Sequence, residues 1–143
     1  MKKQKYTLST MITGLLLMLT ISMAHAQIGG DVLKAKIPFS FSVGTQTFPA
    51  GEYSFKLLLP HTMSMRNGSG QVLTNIETNS VESAEAQGSV RLVFNGYDGH
   101  YFLAQIWKEG DNIGRELAKS PGEIEMAKYS AGQQVALSVV AHR

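Results

Sequence analysis

The sequence lacks cysteine altogether, so no disulfide can staple the fold and no lipid-modified cysteine can anchor the protein. Its stability must come from an apolar core, which a chain of 143 residues with 43% hydrophobic side chains can build. Internal repeats, low-complexity segments and interdomain linkers are also missing. The sequence therefore predicts one globular domain of ordinary size.

A surplus of positive charge is lacking as well, once the amino terminus is set aside. The formal net charge of the chain is +2. Three of the 13 basic residues, Lys2, Lys3 and Lys5, come at the very start, whereas all 11 acidic residues follow residue 26. Without those three lysines the acids outnumber the bases. Because binding to phosphate backbones needs concentrated Lys and Arg, we expect no nucleic-acid partner.

One long apolar run is present, from Met11 to about Met23. It follows the basic start and precedes the small-residue triplet Ala24-His25-Ala26, which is the order of parts in a cleavable secretory signal. The run is shorter than the ~20 residues of a spanning helix, so cleavage is favoured over an uncleaved anchor. We expect cleavage between Ala26 and Gln27, a single mature domain over 27–143 without a membrane span, and a secreted or periplasmic location.

Apolar residues alternate with polar ones through most of the mature chain, as in half-buried strands. Strands are predicted over 33–43, 53–59, 61–66, 72–77, 89–95, 100–107 and 134–142. About seven strands with short turns are typical of an all-β antiparallel domain, either a barrel or a sandwich. We favour a closed or nearly closed barrel, because pairing the first strand with the last would remove exposed edges.

Two of these strands have distinctive patterns. Pro38 removes a backbone donor from the first strand, which indicates a sheet edge or a bulge at that point. The strand over 100–107 is apolar on both faces: strict alternation puts Trp107 with Tyr101 and Leu103, and puts Ile106 with Phe102 and Ala104. Such a strand is central or lies against another element.

One short helix is expected near the carboxyl terminus. Ser120-Pro121-Gly122-Glu123 combines a capping Ser, a Pro at the first helical position and a Glu three residues after the Ser. The helix should run to about Tyr129. The segment 79–88 is polar and acidic, and we expect a loop or at most a short helical stretch there. The segment 108–114 is also polar, and we expect a turn.

Three segments in this order resemble a family of small exported proteins of unknown function that is common in acidobacterial and related soil-bacterial genomes. They are Ile37-Pro38-Phe39-Ser40-Phe41-Ser42-Val43-Gly44, then Phe48-Pro49-Ala50-Gly51-Glu52-Tyr53, then Tyr101 to Trp107 followed by Gly114-Arg115-Glu116-Leu117. In that family a Lys-Ser step is often followed by a charged helix, whereas Pro121-Gly122 follows it here. The resemblance implies an exported β domain and supplies no catalytic residue.

Catalytic, cofactor and metal sites are not indicated by any spacing in the chain. His61, His100 and His142 lie on separate predicted elements, without the short spacing that puts two metal ligands on one face. Asp98 and His100 flank a turn glycine, but no nucleophile motif accompanies them. We predict no catalytic, cofactor-binding or metal-binding residue, and no cofactor.

A partner or ligand surface is the remaining possibility. Tyr101 and Trp107 belong to an aromatic hairpin that either fills the core or faces a sugar or lipid. Arg115 and Glu116 either contact a partner or make a local structural link, which we favour.

The leading hypothesis for function is an exported, non-enzymatic β domain with a binding or structural role in the cell envelope. Its partner would be a protein, a small apolar molecule or a sugar. The alternatives are a small hydrolase with a dispersed active site and a barrel that binds an apolar ligand. An outer-membrane barrel is disfavoured, because most predicted strands are shorter than the ~9 to 11 residues that a spanning strand needs.

Overall fold

Ten strands and one short helix make up the part of the chain that the structure, a computed structural model, describes, namely residues 32–139. The fold is therefore mostly β, with its helix near the carboxyl terminus, as predicted. The strands are β1 (Val32–Ile37), β2 (Phe41–Val43), β3 (Gln46–Phe48), β4 (Gly51–Leu59), β5 (Thr62–Asn67), β6 (Val72–Glu82), β7 (Val90–Tyr97), β8 (His100–Trp107), β9 (Ile113–Leu117) and β10 (Gln133–Val139). Helix α1 (Pro121–Tyr129) lies between β9 and β10.

The long strand β6 belongs to two sheets. Its first half pairs with β5 and its second half with β9. The first sheet has the order β1-β4-β5-β6, and the second has the order β6-β9-β8-β7-β10. The hairpin β2–β3 joins the second sheet through a short parallel contact between β2 and β8. The two sheets bury their inner faces against one common core.

The expectation of a closed barrel is wrong. Strands β1 and β10 approach each other but form no ladder, so the sheet stays open between them. Each of the two sheets has an apolar inner face, and packing those faces together buries both of them without closure. The exposed lysines Lys34 and Lys36 on the edge strand β1 are a common means of protecting an unpaired edge.

The strand count is ten, where the sequence suggested about seven. The expected strand over 33–43 is broken after Ile37, because Pro38 cannot donate a ladder hydrogen bond. Its continuation from Phe41 crosses to the second sheet as β2. Strand β3 lies between two of the predicted strands, where no strand was predicted. Strand β9 begins where a polar turn was expected and continues through residues to which no structure was assigned.

The core between the sheets is rich in aromatic rings. Phe41 lies at its centre, with edge-to-face contacts to Tyr53 at 5.1 Å and to Phe94 at 5.7 Å. Phe39 packs against Phe94 at 5.1 Å, so residues on both sides of the Pro38 break contribute to one cluster. The remaining buried members are apolar residues from both inner faces: Leu33, Ala35, Ile37, Val43, Phe55, Met63, Met65, Ile76, Val90, Leu92, Leu103, Ile106 and Leu117.

A bulge in β8 changes which of its side chains face the core. Val93 pairs with Gln105, whereas the next residue of β7, Phe94, pairs with Leu103, so Ala104 is an extra residue in β8. After the bulge, Ile106 lies on the core face and Trp107 on the opposite one. The expected grouping of Trp107 with Tyr101 and Leu103 is therefore wrong, because it assumed uninterrupted alternation. That β8 is apolar on both faces and lies against another element is correct.

Helix α1 lies against the outer face of the second sheet, where its buried Glu123 contacts Asn95 and Tyr97. Four side chains on that face are buried although they lie outside the main core, namely Val93, Tyr97, Phe102 and Trp107. The helix begins as expected: the Ser120 hydroxyl oxygen accepts a hydrogen bond from the backbone N–H of Glu123 at 3.2 Å, and Pro121 occupies the first turn. No helix among residues 32–139 is long and apolar enough to cross a membrane.

Candidate functional site

A cleft of about 480 Å³ opens where the β7–β8 turn meets the carboxyl end of α1. We refer to it as the turn cleft. It is framed by the two aromatic side chains of Tyr101 and Tyr129 and by polar groups from the turn and the strand after the helix. Its lining residues include Asp98, Tyr101, Tyr129, Ser130, Gln133 and Val135.

The acidic wall of the turn cleft is part of a tight hairpin. Asp98 and Gly99 have φ values of 49° and 80°, and Tyr97 pairs with His100 directly across them. Two successive residues with positive φ make the turn that best suits the twist of a two-residue hairpin, and Asp and Gly are the residues that tolerate it. Asp98 therefore has a structural reason to be where it is, and its exposed side chain remains free to face the cleft.

Tyr101, one of the residues that the sequence singled out, is half-buried at the base of the turn cleft. Its ring lies 4.4 Å from the ring of Phe39, measured between centroids. A Cβ atom at Gly96 would approach the Tyr101 ring to 3.1 Å, so the glycine in β7 makes room for the ring. Close contacts with Phe39 and with Gly96 therefore restrict the position of the Tyr101 ring. Tyr129 differs, since 81% of its surface is exposed.

Trp107, grouped with Tyr101 in the sequence, lies away from the turn cleft. Its side chain is buried on the outer face of β8, where a Cβ atom at Gly114 would come within 2.6 Å of its ring. The indole Nε1 donates to Gln105 Oε1 at 3.1 Å, and Gln105 Nε2 donates to Glu116 Oε1 at 3.2 Å. Trp107 and Glu116 are therefore linked to each other, through Gln105, on this outer face.

Arg115 and Glu116 do not form a shared surface. As neighbours in a strand they point to opposite faces of the sheet. Arg115 Nη1 donates to the Pro60 carbonyl oxygen at 2.5 Å and to the Ser80 hydroxyl at 3.1 Å, and so ties β9 to the β4–β5 turn and to β6. The structure thus brings together only parts of the predicted set: Tyr101 lies at the cleft, Trp107 and Glu116 lie on the outer face, and Arg115 links strands.

A buried polar cluster under α1 was missed by the sequence analysis. Glu123 is only 3% exposed, and its Oε1 accepts from Asn95 Nδ2 at 2.7 Å and from the Tyr97 hydroxyl at 3.3 Å. The helix start that contains Glu123 was visible in the sequence. Its partners were not, because Asn95 ended a predicted strand and Tyr97 came after it, 28 and 26 residues before Glu123.

The histidines have no common site among residues 32–139. His61 is exposed in the β4–β5 turn and His100 is exposed at the start of β8, and no group of three or more His, Cys, Asp or Glu side chains that could hold a metal ion occurs among these residues. His142 and the expected cleavage site at Ala26 and Gln27 lie outside the described residues.

A second cleft, of about 360 Å³, lies between the β2–β3 turn and β6. Its lining includes Thr45, Thr74, Asn75 and Glu77 and contains no aromatic side chain. The turn cleft is therefore the better candidate for a ligand that stacks against rings.

Comparison with known proteins adds no further constraint on the site: the chain matches no protein-family model, no curated protein and no solved structure.

Proposed function

We propose that the protein is an exported, non-enzymatic binding domain of the cell envelope, and that a saccharide occupies the turn cleft. The observation that carries this proposal is the pairing of two tyrosine rings with an acid and an amide around one opening. Sugars combine apolar C–H faces with many hydroxyl groups. A site for them needs rings for the first and side-chain hydrogen-bonding groups for the second.

The two tyrosines are placed so that their rings can contact the apolar C–H faces of a sugar. Tyr101 is held in place by Phe39 and Gly96, so it offers a fixed wall at little cost in conformational entropy. Tyr129 stands exposed at the end of α1, where covering its ring with a ligand would remove apolar surface from water. Asp98 can accept from sugar hydroxyls, and the Gln133 amide can donate as well as accept.

The two alternatives receive less support. A barrel with an apolar ligand inside is not consistent with an open sheet and an interior occupied by packed rings such as Phe41 and Phe94. A small hydrolase remains a hypothesis: Asp98 and Ser130 both line the turn cleft, but Asp98 is already explained by its turn conformation.

A saccharide screen by thermal shift tests the proposal, because any ligand that binds only the native state raises the melting temperature. The positive sugar is then titrated against Tyr129→Ala and Asp98→Asn, the second of which keeps a residue that tolerates positive φ. We expect Tyr129→Ala to weaken binding about 3- to 10-fold, the usual worth of an aromatic contact.

Ile124→Ala is the matched control, because Ile124 is an exposed apolar residue of the same helix that does not line the cleft. Binding that is insensitive to both cleft variants, or the absence of any sugar that stabilises the protein, would overturn the saccharide assignment. Turnover of an ester, glycoside or peptide that is lost in Asp98→Asn would favour the hydrolase instead.

Export is tested separately. The intact mass of the protein recovered outside the cytoplasm should correspond to a chain that begins at Gln27, because Ala24 and Ala26 supply the small side chains that signal peptidase accepts. Retention of residues 1–26 would contradict both the cleavage site and the release of the domain from the membrane.

A further inference from the structure

The outer face of the first sheet carries a cluster of basic side chains that the proposed function does not use. Lys34 and Lys36 come from β1, Lys56 from β4 and Arg66 from β5, all at positions that alternate with core residues. In the strand register, Lys34, Ser54 and Arg66 form one cross-strand row, and Lys56 lies in the next row beside Ser64. We call these four residues the cationic face.

Charge is unevenly divided along the described chain. Residues 32–77 hold four basic and two acidic side chains, whereas residues 78–139 hold five basic and eight acidic ones. Of the two acids of the first part, Glu52 lies directly opposite Lys36 at one end of the outer face. Glu77 lies at the other end, where its Oε1 accepts from the Thr62 hydroxyl at 3.0 Å, so neither acid is beside Lys34, Lys56 or Arg66 in the strand register. The middle of the face is therefore basic in a domain that is otherwise acidic.

Protection of a sheet edge explains only half of this cluster. Lys34 and Lys36 are on the edge strand β1, where exposed lysines discourage pairing with another chain. Lys56 and Arg66 are on β4 and β5, which have partners on both sides, so that reason does not apply to them.

Two buried polar atoms beside the basic groups lack partners. Ser64 is 1% exposed, and neither its Oγ nor Arg66 Nε has a hydrogen-bond partner among residues 32–139. Both atoms can donate, and a buried donor without an acceptor costs free energy. A phosphate that settled on the face, with the flexible lysine side chains moved aside, would supply the missing acceptors.

Exposed apolar residues border the same face. Val32 precedes Lys34 on β1, Leu58 follows Lys56 on β4, and Val72 lies opposite Arg66 in the strand register. Their exposed fractions are 48%, 46% and 48%. A soluble anion needs no such border, whereas a bilayer offers anionic headgroups together with apolar depth between them.

We propose that the cationic face docks the protein onto an anionic phospholipid surface, with the lipid phosphates on Lys34, Lys36, Lys56 and Arg66 and with Val32, Leu58 and Val72 reaching between the headgroups. The attachment is peripheral, and it combines electrostatic attraction with shallow apolar contact. It leaves the turn cleft, which lies on the second sheet, unused by the membrane contact.

Co-sedimentation of the exported protein with vesicles tests this docking. Vesicles of phosphatidylcholine mixed with phosphatidylglycerol are compared with vesicles of phosphatidylcholine alone. We expect binding only to the anionic vesicles, with an affinity that falls as salt is added. The variant Lys34→Gln/Lys36→Gln/Lys56→Gln should lose about a hundredfold in affinity, from the usual worth of three basic residues near such a surface.

The matched control is Lys108→Gln/Lys119→Gln/Lys128→Gln, which makes the same change in net charge on the other part of the domain. It should bind nearly as well as the natural chain. Equal loss in both triple variants would show that only total charge matters and would overturn the proposal. If the first variant does not fold, the salt titration of the natural chain decides, since binding that salt does not weaken excludes an electrostatic face.

A further pair of measurements separates a membrane from a soluble anion. Leu58→Ser/Val72→Ser should weaken binding to anionic vesicles and leave any binding to inorganic polyphosphate unchanged, because only the bilayer contact uses those side chains. Strong polyphosphate binding together with vesicle binding that is unaffected by Leu58→Ser/Val72→Ser would assign the face to a soluble polyanion instead.

Discussion

The two sheets present opposite kinds of outer face. The first sheet turns mainly basic and polar side chains outward and leaves most of them uncovered, whereas the second sheet turns Val93, Tyr97, Phe102 and Trp107 outward and keeps them covered, with α1 contacting Tyr97 through Glu123. Both inner faces are apolar and share one core. The difference shows that the outer face of the second sheet forms a second buried layer, whereas the outer face of the first sheet is largely in contact with solvent.

This contrast appears in the sequence as a difference in pattern. Strand β1 alternates strictly, with Leu33, Ala35 and Ile37 buried and the residues between them exposed. Strand β8 has apolar side chains on both faces. Strict alternation is typical of a strand with one wet side, and a strand that is apolar on both sides must be covered on both.

The largest effect should come from Trp107 on the covered face. Replacing it with Ala removes a buried ring, and we expect a loss of about 3 to 5 kcal/mol in the free energy of unfolding. Val72→Ala on the uncovered face should cost about 0.5 kcal/mol or less, because Val72 is half exposed. Denaturant titration measures both. Similar losses for the two variants would contradict the contrast between the faces.

The substitution Gly114→Ala tests the same packing around Trp107 more closely. A methyl group there would collide with the Trp107 ring, so Gly114→Ala should cost about 1 to 3 kcal/mol on its own. In the Trp107→Ala background the ring is absent and the added cost should largely vanish. Additive losses in the double-mutant cycle would show that the close contact does not determine the residue at 114.

How much of this arrangement could be predicted depends on the range of the interactions involved. The start of α1 was predicted correctly, because Ser120, Pro121 and Glu123 act within one turn of chain. The bulge at Ala104 was not, since a bulge is selected by pairing with β7 and leaves no mark in β8 alone. Strand β9 was missed because Gly114 was placed in a polar turn and Arg115 was given no structure. Their strand contacts, with the Trp107 ring and the Pro60 carbonyl, come from other elements of the fold.

The residues of the candidate site also differ in whether the nearby sequence could reveal them. Tyr101 was singled out by its aromatic neighbourhood, and the structure places it at the turn cleft. Tyr129 was noted only as the expected end of a helix, because nothing local shows that α1 ends beside the β7–β8 turn. For Arg115 and Glu116 a local structural link was favoured over a partner surface, and as neighbours in a strand their side chains face opposite ways.

The second effect in size concerns Glu123, the polar contact that holds α1 to the covered face. Glu123→Ala leaves Asn95 and Tyr97 without their acceptor, and we expect a loss of about 1 to 3 kcal/mol. Glu123→Gln retains an acceptor oxygen and should lose less. Glu125→Ala is the control, since Glu125 is on the same helix with an exposed partner, Lys128, and should cost about 0.5 kcal/mol or less. Equal losses of stability in Glu123→Ala and Glu125→Ala would show that Glu123 does not hold the helix on the sheet.

The smallest expected loss of stability concerns Tyr53 in the shared core. Unlike the losses expected on the two outer faces, it should depend on pH. The Tyr53 hydroxyl donates to the Pro49 carbonyl oxygen at 2.6 Å, and burial raises the pKa of Tyr53 above its ordinary value of 10.0. Tyr53→Phe should therefore lose about 1 kcal/mol at neutral pH.

A pKa that is higher in the folded state than in the unfolded one stabilises the fold fully below pH 10 and loses that contribution as pH rises through the folded value. The natural chain should accordingly lose stability at alkaline pH. The difference in melting temperature between the natural chain and Tyr53→Phe should become smaller there. Melting temperatures over a neutral-to-alkaline series measure this, with Tyr129→Phe as the control for an exposed hydroxyl. A gap between the natural chain and Tyr53→Phe that stays constant across the series would mean that Tyr53 ionisation has no part in the alkaline limit of the fold.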